Sequence, residues 1–362
     1  MPELPEVETI RLGLKPHIVG QNIKAVKLLW RKSFQGSTLE TLGAKVTGIA
    51  RRGKVLIIAL DNGYSLLIHL KMTGQLVYDP KPRKQIRKSN IEIAYSAEAA
   101  AKAGRNKSKI TNSKSPNSFE FRNPVKGPEG PHGTFSGSKL GFGDSGVRIV
   151  GGHPTKSMLA KLPDSSTRVI FTFKSGDKLY FNDQRKFGWI KLVESSKVES
   201  QELLSRMGPE PLKNGLRITS GLRSRFGGVG DFESRIKKRK APIKAVLLDQ
   251  STLAGLGNIY VDEALHLAKI HPLRKGQSLT QKEVERLREA IIEILSLGLR
   301  HGGTSMTNYV NARGQRGNYL ERARVFRREG QPCPVCGTPI QKIKVAGRGT
   351  HICPRCQRQP RA

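Results

Sequence analysis

The first eight residues, Met1-Pro2-Glu3-Leu4-Pro5-Glu6-Val7-Glu8, put three carboxylates at one end of a chain with 64 Lys+Arg against 29 Asp+Glu. Removal of Met1, which a small second residue permits, would turn Pro2 into a free secondary amine. Unprotonated amines attack sugar aldehydes to form Schiff bases. An α-amino group is closer to that state at neutral pH than a Lys side chain. Glu3 stands beside Pro2 as a group able to move protons. The plainer alternative is that Glu6 and Glu8 favour the N-terminal end of a helix, and on this stretch alone it stands.

A second chemical signal closes the chain. Cys333-x2-Cys336 and Cys353-x2-Cys356 are separated by sixteen residues. Four thiolates at that spacing complete a tetrahedral zinc site with no open position, so one structural Zn2+ is expected. Ile340, Ile343 and Val345 suggest a strand between the pairs, Thr350 to Cys353 a returning strand, and Gly347-Arg348-Gly349 the tip. A knuckle that only staples the C-terminus would account for the cysteines but not for Arg348, which on a slim ribbon fits a groove or phosphate contact.

The elements that must position these groups follow from periodicity. Val7, Ile10, Leu14 and Ile18 recur at helical spacing, and Pro5 suits a first turn. Ile23 to Trp30 and Lys45 to Ile49 read as strands. Lys54 to Leu60 and Tyr64 to Leu70 flank Asp61-Asn62-Gly63, a hairpin signal, and Arg168 to Phe173 with Lys178 to Asn182 repeat it. Short strands with tight turns predict a sandwich or flattened barrel. Residues 81–163 are rich in Lys, Ser, Gly, Asn and Pro and are read as a basic, largely disordered insertion, with a small β excursion around Val147 to Val150 as the alternative for part of it. After Met207-Gly208-Pro209-Glu210-Pro211 the pattern turns helical. Pro242 opens one helix, and Asn258, after Gly255-Leu256-Gly257, is expected to N-cap another through Leu267. Thr280 and Glu283 form a capping-box pattern for a third, which ends at Gly302 and Gly303. Two helices around a Gly turn are an ordinary αα-hairpin. In a basic chain the amides at Asn258 also make a phosphate seat.

The net charge of +35 and pI near 10.4 point to a polyanionic partner, most simply nucleic acid. No apolar run has spanning length, and no lipidation or secretory signal is present. A membrane partner is therefore not expected. With all cysteines in the last thirty residues, no disulfide framework holds the main body, which fits a bacterial-type or organellar cytosol, with the nucleus as an alternative.

Taken in order, Pro-Glu-Leu-Pro-Glu-Val-Glu-Thr at the N-terminus, a Gly-Lys ahead of a strand, His-Leu-Lys-Met-Thr-Gly, Arg-Lys-Phe-Gly, Gly-Leu-Gly-Asn-Ile-Tyr and the four-Cys ribbon closely resemble bacterial formamidopyrimidine-DNA glycosylases. These enzymes remove 8-oxoguanine and ring-opened purines. The N-terminal octet is the most specific element, since relatives acting on oxidised pyrimidines typically begin Pro-Glu-Gly-Pro-Glu. The resemblance implies an α+β chain. Residues 1–80 and 164–207 would form a catalytic β-sandwich with flanking helices, 208–320 a helix-two-turn-helix domain and 321–362 a zinc β-hairpin, with 81–163 outside the family pattern. It implies that Pro2 is the nucleophile, Glu3 the general acid/base and Lys54 a phosphate ligand beside the flipped nucleotide. His69, Lys240, Asn258 and Arg348 would grip DNA. Met72, Arg185 and Phe187 would fill the space left by the extruded base, and Glu6, Thr304 and Tyr309 would border the lesion pocket, the last two from a mobile loop at Thr304 to Gly314. It further implies a monomer acting on double-stranded DNA with oxidised purines, in the cytoplasm at the nucleoid. One departure is that Gln184 and Lys186 stand in a motif that usually reads Asp-Pro-Arg-Arg-Phe-Gly. Losing that Pro is expected to loosen the wedge loop.

Overall fold

The computed structural model describes residues 1–81, 148–152, 161–212, 229–304 and 318–359. Met1–Lys81 and Gly146–Ala362 form one compact unit; residues 82–145 form a second that lies outside the described residues.

Helix α1 (Leu4–Ile18) begins with a reciprocal capping box between Glu3 and Glu6, with Pro5 in its first turn. That satisfies amide groups a helix start otherwise leaves unpaired. The strands β1 (Ile23–Leu28), β2 (Phe34–Gln35), β3 (Val46–Arg52), β4 (Val55–Leu60), β5 (Tyr64–His69), β6 (Gly74–Asp79), β7 (Ile149–Gly152), β8 (Thr167–Phe173), β9 (Lys178–Asp183) and β10 (Trp189–Glu194) form two sheets. Their orders are β1-β8-β9-β6-β7 and β2-β10-β5-β4-β3. The inner faces meet in a core that includes Ile58, Leu66, Ile68, Leu76, Phe171, Phe181 and Ile190. Helix α1 packs on both β7 and β3, an edge strand of each sheet, and adds Val7, Ile10, Leu14 and Ile18 to that core. It thereby covers two edges that would otherwise offer unpaired backbone groups.

Residues 149–152, within the stretch expected to be disordered, form a strand. β7 pairs antiparallel with β6, Val77 opposite Val150 and Gln75 opposite Gly152. A Cβ built on Gly151 would overlap Ile10 Cγ1, so glycine there admits helix α1 onto the strand. The sandwich thus already includes residues 149–152, ahead of the expected resumption at 164. The remainder of that expectation lies outside the described residues.

Past the short helix α2 (Glu202–Ser205), the second core is built from α3 (Val229–Lys237), α4 (Ile243–Leu248), α5 (Asn258–Leu267) and α6 (Gln281–Arg300). The Thr280–Glu283 capping box forms at the start of α6. Leu4, the first residue of α1, is fully buried in this helical core, whereas Val7 belongs to the sandwich core. A buried ion network reinforces the junction. Arg51, 1% exposed, donates from Nε to Glu8 Oε2 (2.9 Å) and from Nη1 and Nη2 to Glu210 (3.0 and 3.1 Å). Strands β11 (Gln341–Val345) and β12 (Arg348–Ile352) form the terminal hairpin.

The hairpin tip differs by one residue from expectation. Val345 pairs with Arg348, so the turn is Ala346-Gly347, both at positive φ (49° and 75°), the geometry that matches the twist of a two-residue hairpin. Arg348 is the first residue of β12.

Candidate active site and DNA-binding face

Glu3 sits where the two cores meet. It is 3% exposed, and its Oε1 accepts the backbone N–H of Ile259 at 3.1 Å. Burial raises its pKa to about 7 against the lowering influence of Lys54. Oε2 is buried with no hydrogen-bond partner among the described residues. A carboxyl group poised near neutrality with a free oxygen can accept and return a proton at physiological pH. Pro2 is buried beside it. The chain's amino terminus responds to Glu3, Glu6 and Lys54 together, and burial lowers its pKa.

Lys54 is 5% exposed and donates from Nζ to Leu256 O at 2.7 Å. Burial lowers its pKa, with Glu3 and Glu6 opposing that shift. The Leu256 carbonyl is held in turn by Gln250, whose Nε2 donates to it at 2.9 Å and whose Oε1 accepts the Gly255 N–H at 2.9 Å. Gln250 was not singled out from sequence; it carries no local signal because its partners lie in the turn it braces.

Glu6 is saturated. Its Oε2 accepts the Glu3 N–H (2.8 Å), and its Oε1 accepts Tyr260 Oη–H (2.7 Å), Thr304 N–H (2.6 Å) and Thr304 Oγ1–H (2.8 Å). Glu6 and Thr304, both expected at the lesion pocket, are therefore brought together. Tyr309 and nearly all of the Thr304 to Gly314 segment lie outside the described residues.

The N-cap of α5 is Gly257, not Asn258. A Cβ on Gly257 would overlap the Glu3 carboxyl group. The place a capping side chain would take at this turn is thus filled by Glu3, which reaches the Ile259 amide across the interface. Asn258, freed from that role, donates from Nδ2 to Gly349 O at 3.0 Å and so touches the residue next to Arg348. Two further acids in α5 dock the hairpin and the approach to it. Asp262 accepts Lys244 Nζ (2.7 Å) and the His351 N–H (2.9 Å), and Lys244 also reaches Thr350 Oγ1 at 2.7 Å. Glu263 accepts the amides of Arg324, Val325 and Phe326. These pairings leave Arg348 exposed at a fixed position.

His69 lies at the end of β5, with burial lowering its pKa to about 3. Its Nδ1 accepts the Lys71 N–H at 3.0 Å, so the neutral ring carries its proton on Nε2 and offers a phosphate a hydrogen bond rather than a charge. Two exposed loops meet beyond it. Asp183, fully buried, accepts Thr73 Oγ1–H, the Arg185 N–H (3.2 Å) and the Gly188 N–H (2.6 Å), and Arg185 N–H also reaches Thr73 Oγ1 (3.0 Å). Met72 (42% exposed) and Phe187 (55% exposed) project from these loops. The Arg185 guanidinium lies 4.9 Å from the Phe187 ring centroid. Large apolar side chains held out from a braced loop are suited to inserting into a partner. The expected loosening at Gln184 is met by the Asp183 bonds and by Lys186 Nζ, 4.1 Å from the Trp30 ring centroid. Lys240 is exposed between α3 and α4, and among the described residues it makes no hydrogen bond or ion pair with the other candidates.

The four cysteine sulfurs lie within 4.8 Å of one another, with Cys336–Cys353 at 3.4 Å and Cys333–Cys356 at 3.9 Å. A tetrahedral ion with zinc–sulfur bonds of about 2.3 Å sets its sulfurs about 3.8 Å apart. The residues fit one structural zinc.

A β-sandwich that buries a carboxyl group beside the amino terminus, against a helical module carrying a four-cysteine hairpin, has the architecture of a zinc-finger DNA glycosylase. Family models agree segment by segment: the formamidopyrimidine-DNA glycosylase N-terminal domain over residues 1–107, its H2TH domain over 207–310, and the zinc finger found in FPG and IleRS over 330–359. Formamidopyrimidine-DNA glycosylases of Desulforamulus reducens and Herpetosiphon aurantiacus are 33% and 34% identical to it, covering 99% of this chain and 99% and 100% of theirs. The Lactococcus lactis Fpg in complex with abasic-site DNA superposes with a TM-score of 0.69 at 28% identity, covering 99% of this chain and all of that one. A Lactococcus lactis mutant bound to Fapy-dG DNA gives the same values. The chain belongs to the formamidopyrimidine-DNA glycosylase family and is a DNA-repair enzyme that binds DNA. No helix among the described residues is long and apolar enough to cross a membrane.

Proposed function

We propose that the enzyme excises oxidised purines, 8-oxoguanine and formamidopyrimidines, from double-stranded DNA and then cuts the strand as a lyase. The observation that carries this reading is the buried Glu3 carboxyl, with one oxygen fixed by Ile259 N–H and the other unpartnered beside Pro2. After removal of Met1, the Pro2 nitrogen bonds to C1′ of the flipped nucleotide as the glycosidic bond breaks and the base departs. The C1′–O4′ bond then opens, Glu3 gives O4′ its proton, and the sugar is left as an iminium on Pro2. That cation acidifies C2′. Loss of the C2′ proton expels the 3′ phosphate, and a second elimination expels the 5′ phosphate. The zinc ion forms and breaks no bond in this sequence.

Lys54 and His69 hold phosphates beside the extruded nucleotide, and Asn258, Arg348 and Lys240 hold others. Met72, Arg185 and Phe187 occupy the gap, which offsets part of the few kcal/mol that flipping costs. Glu6 ties the lesion-binding segment at Thr304 to α1, with Tyr309 as a further wall. One chain supplies every group named, so the enzyme acts as a monomer, in the cytoplasm on nucleoid DNA. A Lactococcus lactis Fpg has been crystallised with DNA containing an oxidised pyrimidine, so the substrate class needs a direct test. Parallel excision assays on 8-oxoguanine and thymine glycol duplexes should give the higher kcat/KM for 8-oxoguanine. A preference for thymine glycol would overturn the purine reading.

A further inference from the structure

His266 lies in the last turn of α5 and is 2% exposed. Its Nε2 is 3.4 Å from Cys333 Sγ. Its Nδ1 is buried with no hydrogen-bond partner among the described residues, so the ring's one polar contact goes to a zinc-site sulfur. Cys333 is itself 3% exposed, whereas Cys336 and Cys356 are partly open to solvent. A cysteine bound to zinc is a thiolate with no proton to give. Any hydrogen bond between the two must therefore run from Nε2–H to sulfur. The same helix is capped by Glu3 at its first turn and docks β12 through Asp262.

We propose that His266 is a positioning residue for the zinc centre. It donates Nε2–H to the Cys333 thiolate, fixes that ligand against α5, and draws off part of its negative charge. Cys333 then becomes less open to protonation, oxidation and metal exchange than Cys336 and Cys356, and the finger that carries Arg348 is locked to the helix that holds Glu3. Partners behind metal ligands typically change metal affinity about 10–100-fold when removed.

Two measurements on the full-length holoenzyme test this. In the wild type, long-range 1H–15N spectra of 15N-histidine protein should show a proton on His266 Nε2; an unprotonated Nε2 overturns the proposal without any variant. Zinc transfer to a colorimetric chelator should then be compared among wild type, His266→Phe and His266→Gln. The Phe variant should release zinc about tenfold faster, and the 113Cd resonance of its cadmium form should move. Gln, which keeps an N–H donor, should recover most of both. A Phe variant with wild-type release and an unmoved 113Cd resonance would contradict the proposal, as would a Gln variant no better than Phe. Should the Phe variant not fold, the tautomer and the Gln variant decide alone.

Discussion

Glu3 Oε1 and the amide of Ile259, 256 residues apart in sequence, are joined by a 3.1 Å hydrogen bond. That bond makes one carboxylate serve two helices: it belongs to the capping box of α1 and stands in for the N-cap of α5. The Glu3 carboxyl is thus held by the contact that joins sandwich to helical module, and its burial there raises its pKa to about 7.

A pH-dependent stability follows. The Glu3 pKa rises from 4.5 to about 7 on folding. Between those values the native state binds the proton more tightly than the unfolded chain, so this group's contribution is full below about pH 4.5 and is lost as pH rises through 7. Glu3→Gln keeps the acceptor oxygen and removes the charge. It should abolish excision yet exceed wild-type stability by on the order of 1–3 kcal/mol at pH 8, with the difference closing by pH 5. Denaturant melts at the two pH values check this, and equal stability at both would contradict it.

Gly257→Ala places a methyl group where the Glu3 carboxyl lies. Either Glu3 moves or the turn does. The expected outcome is a loss of about 1–3 kcal/mol together with a kcat reduced at least tenfold, read by denaturant melts and single-turnover excision.

Arg51→Leu strands Glu8 and Glu210 in the interior without their shared cation. Removing one member of a buried ion network costs about 3–5 kcal/mol. A fall of that size should appear in chemical denaturation, and a change under 1 kcal/mol would mean that Arg11 and Arg52 suffice for the two acids.

Arg348→Ala should lower affinity for all DNA sequences alike and flatten the dependence of log K on log salt by about 0.9. Replacing residues 83–146 by a short turn, which leaves β6 and β7 paired, tests the insertion in the same way. A flattened slope would show that this basic insertion adds phosphate contacts, and an unchanged one that it does not.

Local patterns announced much of this architecture. The α1 start, the Asn62-Gly63 hairpin, the Thr280 capping box and the two Cys-x2-Cys pairs all act within a few residues, so their spacing carries the information. What sequence could not disclose depends on partners far along the chain. Asn258 has an N-cap's identity, yet Glu3 arrives from the other end to take that role. Asp183, which reaches Thr73 across 110 residues, and the Arg51–Glu8–Glu210 network, whose bonds span 43 and 159 residues, act over separations where no periodicity reaches. Strand β7 has a weak strand pattern because two of its four residues are glycines, and their reasons lie across the contact: Ile10 packs on Gly151, and the backbone of Gly74 and Gln75 on Gly152.

The central claim is that Pro2 becomes covalently attached to the sugar. Borohydride reduction of the enzyme on a duplex with 8-oxoguanine opposite cytosine tests it most directly, with Pro2→Gly alongside. The expected result is a trapped wild-type adduct whose peptide map ends at Pro2, with Met1 absent. Tight binding with no adduct, or an adduct mapping to Lys54, would contradict it.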